Sequence, residues 1–133
     1  MTLGFHHVAI SVPDLDRAAR WYGAHLGFEV ERRFAVPGGT EAMFLRRDGM
    51  RIELFRVAEP LPMPEDRSNP RRDLNTLGTK HFCFATDAYD MWKDDLAGAG
   101  IEIILEVGDG QTERGFFFND CFGNVVEIVE TRD

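Results

Sequence analysis

The chain contains 133 residues, of which 44% are hydrophobic and 29% are charged, and it carries a net charge of −8. This length and composition predict one soluble globular domain with its own core. The negative charge would repel phosphate, so we expect a small-molecule substrate and neither a nucleic acid nor a membrane as partner.

The N-terminal residues and the two cysteines bear on the cellular compartment. The first ten residues lack the basic region and the long apolar stretch of a signal peptide, which favours a cytoplasmic protein. Cys83 and Cys121 are too few and too far apart to predict a disulfide framework or a thiolate zinc site. We expect both to be reduced.

The first part of the chain predicts a βαβββ module. Branched apolar residues alternate with His7 and small residues over 5–12, which is typical of a strand. A helix is predicted over 15–26, because Asp14 is a suitable N-cap and Gly27 a suitable left-handed stop. Three further strands with intervening turns are predicted: 28–36, 41–47 and 50–57.

The second part of the chain repeats this pattern. A strand is predicted at 80–86, and Asp87 is predicted to cap the helix that follows. The last three predicted strands are 101–107, 114–119 and 124–130. The fold class is therefore α+β, with tandem βαβββ modules at about 5–57 and 80–130.

Residues 58–79 join the two modules and show no periodicity. They contain four prolines and end in a cluster of arginines. A connection of this length without structure of its own is usually functional or mobile. We interpret it as an inter-module linker, with a substrate lid as the alternative.

Four residues with metal-binding side chains recur at matching positions: His7, Glu53, His81 and Glu127. Each histidine precedes its glutamate by 46 positions, and the two pairs are 74 positions apart. A repeat at this distance indicates one structural unit used twice, and two imidazoles with two carboxylates suit a divalent transition metal. The sequence therefore predicts a four-ligand metal site.

Each of these four residues, taken alone, also has a structural explanation. Glu127 lies among aliphatic residues, where a buried carboxylate needs a compensating charge, although an edge strand in solvent would also explain it. A single strand histidine is more often structural than a ligand. The equal spacing favours the metal. His6 is predicted to face the helix and matches Lys80, and His25 is predicted on the exposed side of its helix.

The chain resembles the vicinal oxygen chelate superfamily over nearly its whole length. This superfamily includes glyoxalase I, methylmalonyl-CoA epimerase, extradiol dioxygenases and fosfomycin and bleomycin resistance proteins. The motifs are HHVAISVPDLDRAARWYGAHLGFEV, RIELF, GTKHFCFATD and FFNDCFGNVVEI, with Cys121 at a turn position where proline is usual.

The resemblance implies cupped mixed sheets that enclose a metal ion, namely nickel, cobalt, manganese, iron or zinc. It also implies a homodimer, with sites within one chain or shared between two. The order His, Glu, His, Glu is similar to that of glyoxalase I. The resemblance therefore favours a metal-dependent lyase or isomerase that acts on a small oxygenated substrate through a metal-stabilised enediolate.

Residue roles follow from the same resemblance. Glu127, or else Glu53, is expected to act as the general base. The candidates for substrate contact are Arg51, Ser11, Cys83 and Phe117, with the linker arginines as alternatives to Arg51 for holding an anionic group and core packing as the alternative for Cys83.

Some positions depart from the patterns of individual members. Ser11 and Val57 stand where glyoxalase I has glutathione-anchoring residues, which argues against glutathione conjugates. Phe117 replaces a tyrosine of the extradiol enzymes, and Glu41 lies only near the position of the epimerase's additional basic glutamate.

Two other functions stay open. The first is an Fe(II) extradiol dioxygenase with His7, His81 and Glu127 as a facial triad. The second is a non-catalytic binding or antibiotic resistance protein that holds an aromatic ligand among its many phenylalanines.

Overall fold

The computed structural model of the protein describes residues 1–109 and 113–131. The chain divides into two compact units, Met1–Pro62 and Met63–Asp133. This division falls within the predicted linker.

The first unit is a four-stranded mixed sheet with one helix. Its elements are β1 (Val8–Ser11), α1 (Leu15–Leu26), β2 (Glu29–Val36), β3 (Thr40–Arg47) and β4 (Met50–Arg56). The strand order is β1-β4-β3-β2, and only the β1–β4 pairing is parallel. The first and last strands of the module are thus neighbours.

The second unit repeats this arrangement after two short 3₁₀ helices. Its elements are the 3₁₀ helices Glu65–Ser68 and Arg72–Asn75, then β5 (Phe82–Thr86), α2 (Tyr89–Gly98), β6 (Leu105–Val107), β7 (Gly115–Asn119) and β8 (Val125–Glu130). The strand order is β5-β8-β7-β6, again with a parallel pairing of the first and last strands. The predicted α+β fold of tandem βαβββ modules is confirmed.

Helix α1 has the predicted bounds because both of its ends are satisfied locally. The Asp14 carboxylate accepts the backbone N–H of Arg17 at 2.9 Å. At the other end Gly27 has φ 73°, a left-handed conformation that costs glycine little, and its N–H returns to the last turn. Leu15, Ala18, Tyr22 and Leu26 form the buried stripe.

The predicted cap of α2 is wrong. Asp87 accepts no helix N–H, and the helix begins at Tyr89 after Ala88. The hydroxyl of Thr86 accepts the Ala88 N–H at 2.9 Å. This bond shapes the turn before the helix and is not an N-cap, because Ala88 precedes the first helical residue.

Three strands begin two or more residues later than predicted, and two of these differences concern the site. β1 begins at Val8 and β5 at Phe82, so His7 and His81 each stand one residue before a strand. β6 covers only Leu105–Val107, although Ile104 still donates to the carbonyl of Phe117.

The stretch predicted as an inter-module linker carries structure of its own, which the sequence did not predict. Asp73 is only 2% exposed, and its carboxylate lies 3.3 Å from Arg67 Nη1 and 3.4 Å from Lys80 Nζ. Lys80 also donates to the carbonyls of Asp73 and Thr76, and Arg67 donates to that of Thr79. A buried carboxylate with two cations therefore organises the segment that leads into β5.

The turn between β7 and β8 is held by Asp120, which is 5% exposed. Its carboxylate accepts the backbone N–H groups of Phe122 and Asn124, both at 2.9 Å, and the side-chain amide of Asn124 at 2.8 Å. This turn fixes the register in which Glu127 lies opposite Phe117.

Neither helix formed by the described residues is both long enough and apolar enough to span a membrane.

Candidate functional site

The first module brings His7 and Glu53 together. Ala9 of β1 aligns with Glu53 of β4 in the parallel ladder, so the histidine just before β1 lies beside the glutamate. Nε2 of His7 is 3.3 Å from Oε1 of Glu53, and the two side chains are 32% and 13% exposed. In β4 the neighbouring Ile52 and Leu54 are fully buried, so Glu53 points to the opposite face.

The second module brings His81 and Glu127 together in the same way. Cys83 of β5 aligns with Glu127 of β8, as Ala9 does with Glu53. Nε2 of His81 is 2.9 Å from Oε2 of Glu127, and the side chains are 27% and 16% exposed. The 46-residue spacing therefore has a structural cause, since in each module the first and last strands pair in parallel with the same register.

His6 was predicted to face the helix, but it contacts His7. Their Nδ1 atoms are 2.7 Å apart, so one of the two rings must carry the proton that the other accepts. Nε2 of His7 faces Glu53, and the partner on Nδ1 fixes how this ring is oriented. His25 lies elsewhere, on α1 with its ring 5.1 Å from that of Trp21.

Glu127 has a close neighbour that the sequence reasoning missed. A Cβ added to Gly115 would lie 2.6 Å from Oε1 of Glu127 and 3.2 Å from Val107. Gly115 has no positive φ, so a side chain at this position would be opposed by the carboxylate and not by backbone strain. Glycine inside a strand, in the segment RGFFFN, was the available signal, because it often marks a close approach.

Cys83 lies beside Glu127, although the residue as a whole is exposed. Loss of solvent around its sulfur, and then the neighbouring Glu127 carboxylate, raise the pKa of the thiol to about 12. The thiol is therefore neutral at physiological pH and is not a thiolate nucleophile.

The other candidates for substrate contact have different surroundings. Arg51 forms two hydrogen bonds with Glu31, at 2.8 and 3.2 Å. This pairing raises the pKa of Arg51 and lowers that of Glu31. Ser11 is the exposed last residue of β1. Phe117 is buried opposite Glu127, with its ring edge-on to His81 at 5.0 Å.

Within either module, the described residues do not gather three or more His, Cys, Asp or Glu side chains into a group that would hold a metal ion. Each module contributes one nitrogen and one oxygen donor. The four-ligand site thus requires two such pairs and stays a prediction.

The chain as a whole is similar to proteins of one known superfamily. A model of the Glyoxalase/Bleomycin resistance protein/Dioxygenase superfamily matches residues 4–128. The chain belongs to this superfamily. The resemblance noted from the sequence motifs is therefore confirmed, and the glyoxalase superfamily fold accounts for both βαβββ modules.

Curated relatives in the glyoxalase superfamily include epimerases. The chain is 28% identical over 130 residues to the mitochondrial methylmalonyl-CoA epimerase of Bos taurus, a match covering 94% of this chain and 73% of the relative. It is 31% identical over 113 residues to the ethylmalonyl-CoA/methylmalonyl-CoA epimerase of Cereibacter sphaeroides, covering 83% and 78%.

Solved structures share the fold. A glyoxalase family protein from Enterococcus faecalis superposes with a TM-score of 0.78 at 26% identity, covering 96% of this chain and 97% of the other.

Proposed function

We propose that the protein is a metal-dependent isomerase of the glyoxalase type. It removes a proton from a carbon next to a carbonyl group and returns a proton to the same carbon. Its substrate is a small oxygenated molecule, and methylmalonyl-CoA is the first to test. The observation that carries the proposal is the twin His–Glu pair at matching positions of the two modules.

The distances within each pair suit a divalent metal ion. Two donors that each lie about 2.1 Å from one ion, at a right angle, are about 3 Å apart. The observed separations are 3.3 Å for His7 and Glu53 and 2.9 Å for His81 and Glu127. Two imidazoles and two carboxylates would hold nickel, cobalt, manganese, iron or zinc. When bound, such an ion polarises a carbonyl oxygen, so that the neighbouring C–H becomes more acidic.

Glu127 is the proposed base. Its Oε2 lies 2.9 Å from His81, which leaves Oε1, beside Gly115, to accept the proton. Inversion at carbon requires the proton to return to the opposite face. Glu53, the matching carboxylate of the other module, is the group we propose for that step.

The choice of substrate rests on the curated relatives and on two positions at which the chain differs from glyoxalase I. Two curated relatives are named as methylmalonyl-CoA epimerases. The carbon between the carboxylate and the thioester of this substrate bears the kind of proton that the site would remove. Ser11 and Val57 replace the residues expected to anchor glutathione, which disfavours a glutathione conjugate.

The test follows the α-proton of methylmalonyl-CoA by NMR in D₂O, with protein loaded with Co²⁺. We expect Glu127→Gln to slow exchange by about 10²- to 10⁴-fold, the usual contribution of a general base. Glu102→Gln is the matched control, because Glu102 is an exposed glutamate outside the two His–Glu pairs.

Two outcomes would contradict the proposal. One is wild-type exchange by a Glu127→Gln protein that still holds its metal. The other is uptake of oxygen with catechol and Fe²⁺, accompanied by no proton exchange on methylmalonyl-CoA, hemithioacetals or other acyl thioesters.

A further inference from the structure

A bulge in β2 brings an arginine onto the sheet face that carries Glu53. The β2–β3 register shifts between Val30 and Arg32, so that Arg32 lies directly opposite Phe44, and Phe44 lies opposite Glu53. Directly paired residues share a face of a sheet. Without the extra residue in the bulge, Glu31 would occupy this place and put a negative charge in the row.

The guanidinium of Arg32 is held by two phenylalanines next to His7. Its Cζ lies 4.7 Å from the ring centroid of Phe34 and 5.5 Å from that of Phe44. The two rings stack at 5.7 Å with an interplanar angle of 24°. The edge contact between Phe44 and His7, at 5.2 Å, continues the row. The cation, the two rings and the proposed metal ligand are therefore contiguous.

Arg32 differs from two nearby arginines, Arg33 and Arg51, which form ion pairs with carboxylates. Arg33 pairs with Asp16 and Glu41, and Arg51 with Glu31. Among the residues that the structure describes, no carboxylate lies within ion-pairing distance of Arg32. A guanidinium that lies over aromatic rings makes no hydrogen bonds with them, so its N–H groups can bind the oxygens of a carboxylate or phosphate.

We propose that Arg32 binds an anionic oxygen group of the substrate, a carboxylate or a phosphate, a few bonds away from the atoms held at His7 and Glu53. The inference rests on the proposed function and narrows it to substrates that carry such a group. Arg32 is then a specificity-determining residue. It replaces Arg51 as the candidate for this role, because the guanidinium of Arg51 is already paired with Glu31.

Two probes isolate the anionic group in a binding experiment with the Co²⁺-loaded protein. 2-Oxoglutarate and 2-oxovalerate offer the same vicinal oxygens to a metal, but only the former carries a distal carboxylate. We expect calorimetry to show about 10-fold tighter binding of 2-oxoglutarate, since a charge-assisted hydrogen bond is strong. A third probe, 2-oxo-4-phosphonobutanoate, identifies phosphate as the preferred group if it binds more tightly still.

Arg32→Gln should abolish the preference for the distal anion while leaving 2-oxovalerate binding unchanged. Arg32→Lys keeps the positive charge but loses the planar guanidinium, so it should retain part of the preference for the distal anion. Arg46→Gln is the matched control: Arg46 lies two residues from Phe44 on the same face and donates to the Asp48 carbonyl. It should keep the full preference.

The outcomes separate this inference from the proposed function. If the metal-loaded protein binds the probes equally, or if Arg32→Gln keeps the preference, the role of Arg32 is wrong and the metal site stands. If the wild-type protein binds no metal, the proposed function fails and the Arg32 inference fails with it.

Discussion

Gly115 and Glu127 approach so closely that a methyl group on the glycine would lie 2.6 Å from Oε1 of the carboxylate. The glutamate end is flexible, so the folded module can accommodate a side chain at Gly115, but only by moving the carboxylate. The absence of a side chain at Gly115 therefore allows the carboxylate of Glu127, the proposed base, to lie where it does.

We predict that Gly115→Ala lowers the affinity for Co²⁺ by about 10- to 100-fold, which is typical when a group that positions a ligand is changed. Unfolding by urea should change much less, because the displaced atoms lie at the end of a side chain. Metal affinity is read from titration of the apo protein.

Gly98→Ala is the control, because a Cβ at Gly98 meets no atom within 4 Å. It should leave the metal affinity unchanged. Equal affinities of the Gly115→Ala and Gly98→Ala proteins would show that Gly115 does not position Glu127.

Loss of a histidine ligand should remove metal-dependent stabilisation. With metal at 100 times its dissociation constant, we expect the wild-type protein to gain about 2.7 kcal/mol of unfolding free energy. His81→Ala should lose this gain. His25→Ala should keep it, since His25 lies in the last turn of α1, with its ring next to that of Trp21. Thermal unfolding with and without metal measures both. A full gain in His81→Ala would remove that residue from the site.

Asp73 should be the most sensitive residue of the segment that leads into β5. Asp73→Ala leaves Arg67 and Lys80 without their carboxylate, and removing one partner of a buried ion pair costs about 3 kcal/mol. Asp87→Ala, at the exposed position that fails to cap α2, should change the unfolding free energy by less than about 0.5 kcal/mol. Urea titration compares the two, and similar costs would contradict the role of Asp73.

The Glu31–Arg51 pair should contribute stability that depends on pH. Hydrogen bonding to Arg51 lowers the pKa of Glu31 in the folded state. The contribution is therefore present above the unfolded pKa, about 4.3, and is lost as pH falls through the folded pKa. Glu31→Gln should lower the urea midpoint at pH 7, and its difference from wild type should shrink below about pH 4.

Glu102→Gln is the charge-matched control for this pH series, because Glu102 is exposed and its substitution should alter stability little at any pH. A Glu31→Gln difference that grew on acidification would contradict the assignment of the pair.

The sequence predicts the fold well where local signals and the repeat agree. Asp14 and Gly27 define α1, because a cap and a left-handed stop act within a few residues. The His–Glu spacing predicts each pair, because two modules with the same strand order place corresponding positions together.

Features that depend on tertiary contacts were less predictable. Asp87 has the residue type of a cap, but the helix begins one residue too late for it, at Tyr89 after Ala88. The bulge that places Arg32 on the same sheet face as Glu53 cannot be recognised from the residue alternation of β2. Asp73 is buried only because Arg67 and Lys80, from either side of it in sequence, pack against its carboxylate. A strand glycine such as Gly115 signals a close approach, but only the coordinates identify Glu127 as the group that approaches it.

The parallel pairing of β1 with β4, and of β5 with β8, has a consequence for how metal binding and folding are coupled. Each donor pair joins residues at the two ends of its module, so neither pair exists until the final strand has docked and a loop of 46 residues has closed. In the proposed metal site, a module truncated before its last strand would lack its donor pair, so metal affinity would report completed folding of the module.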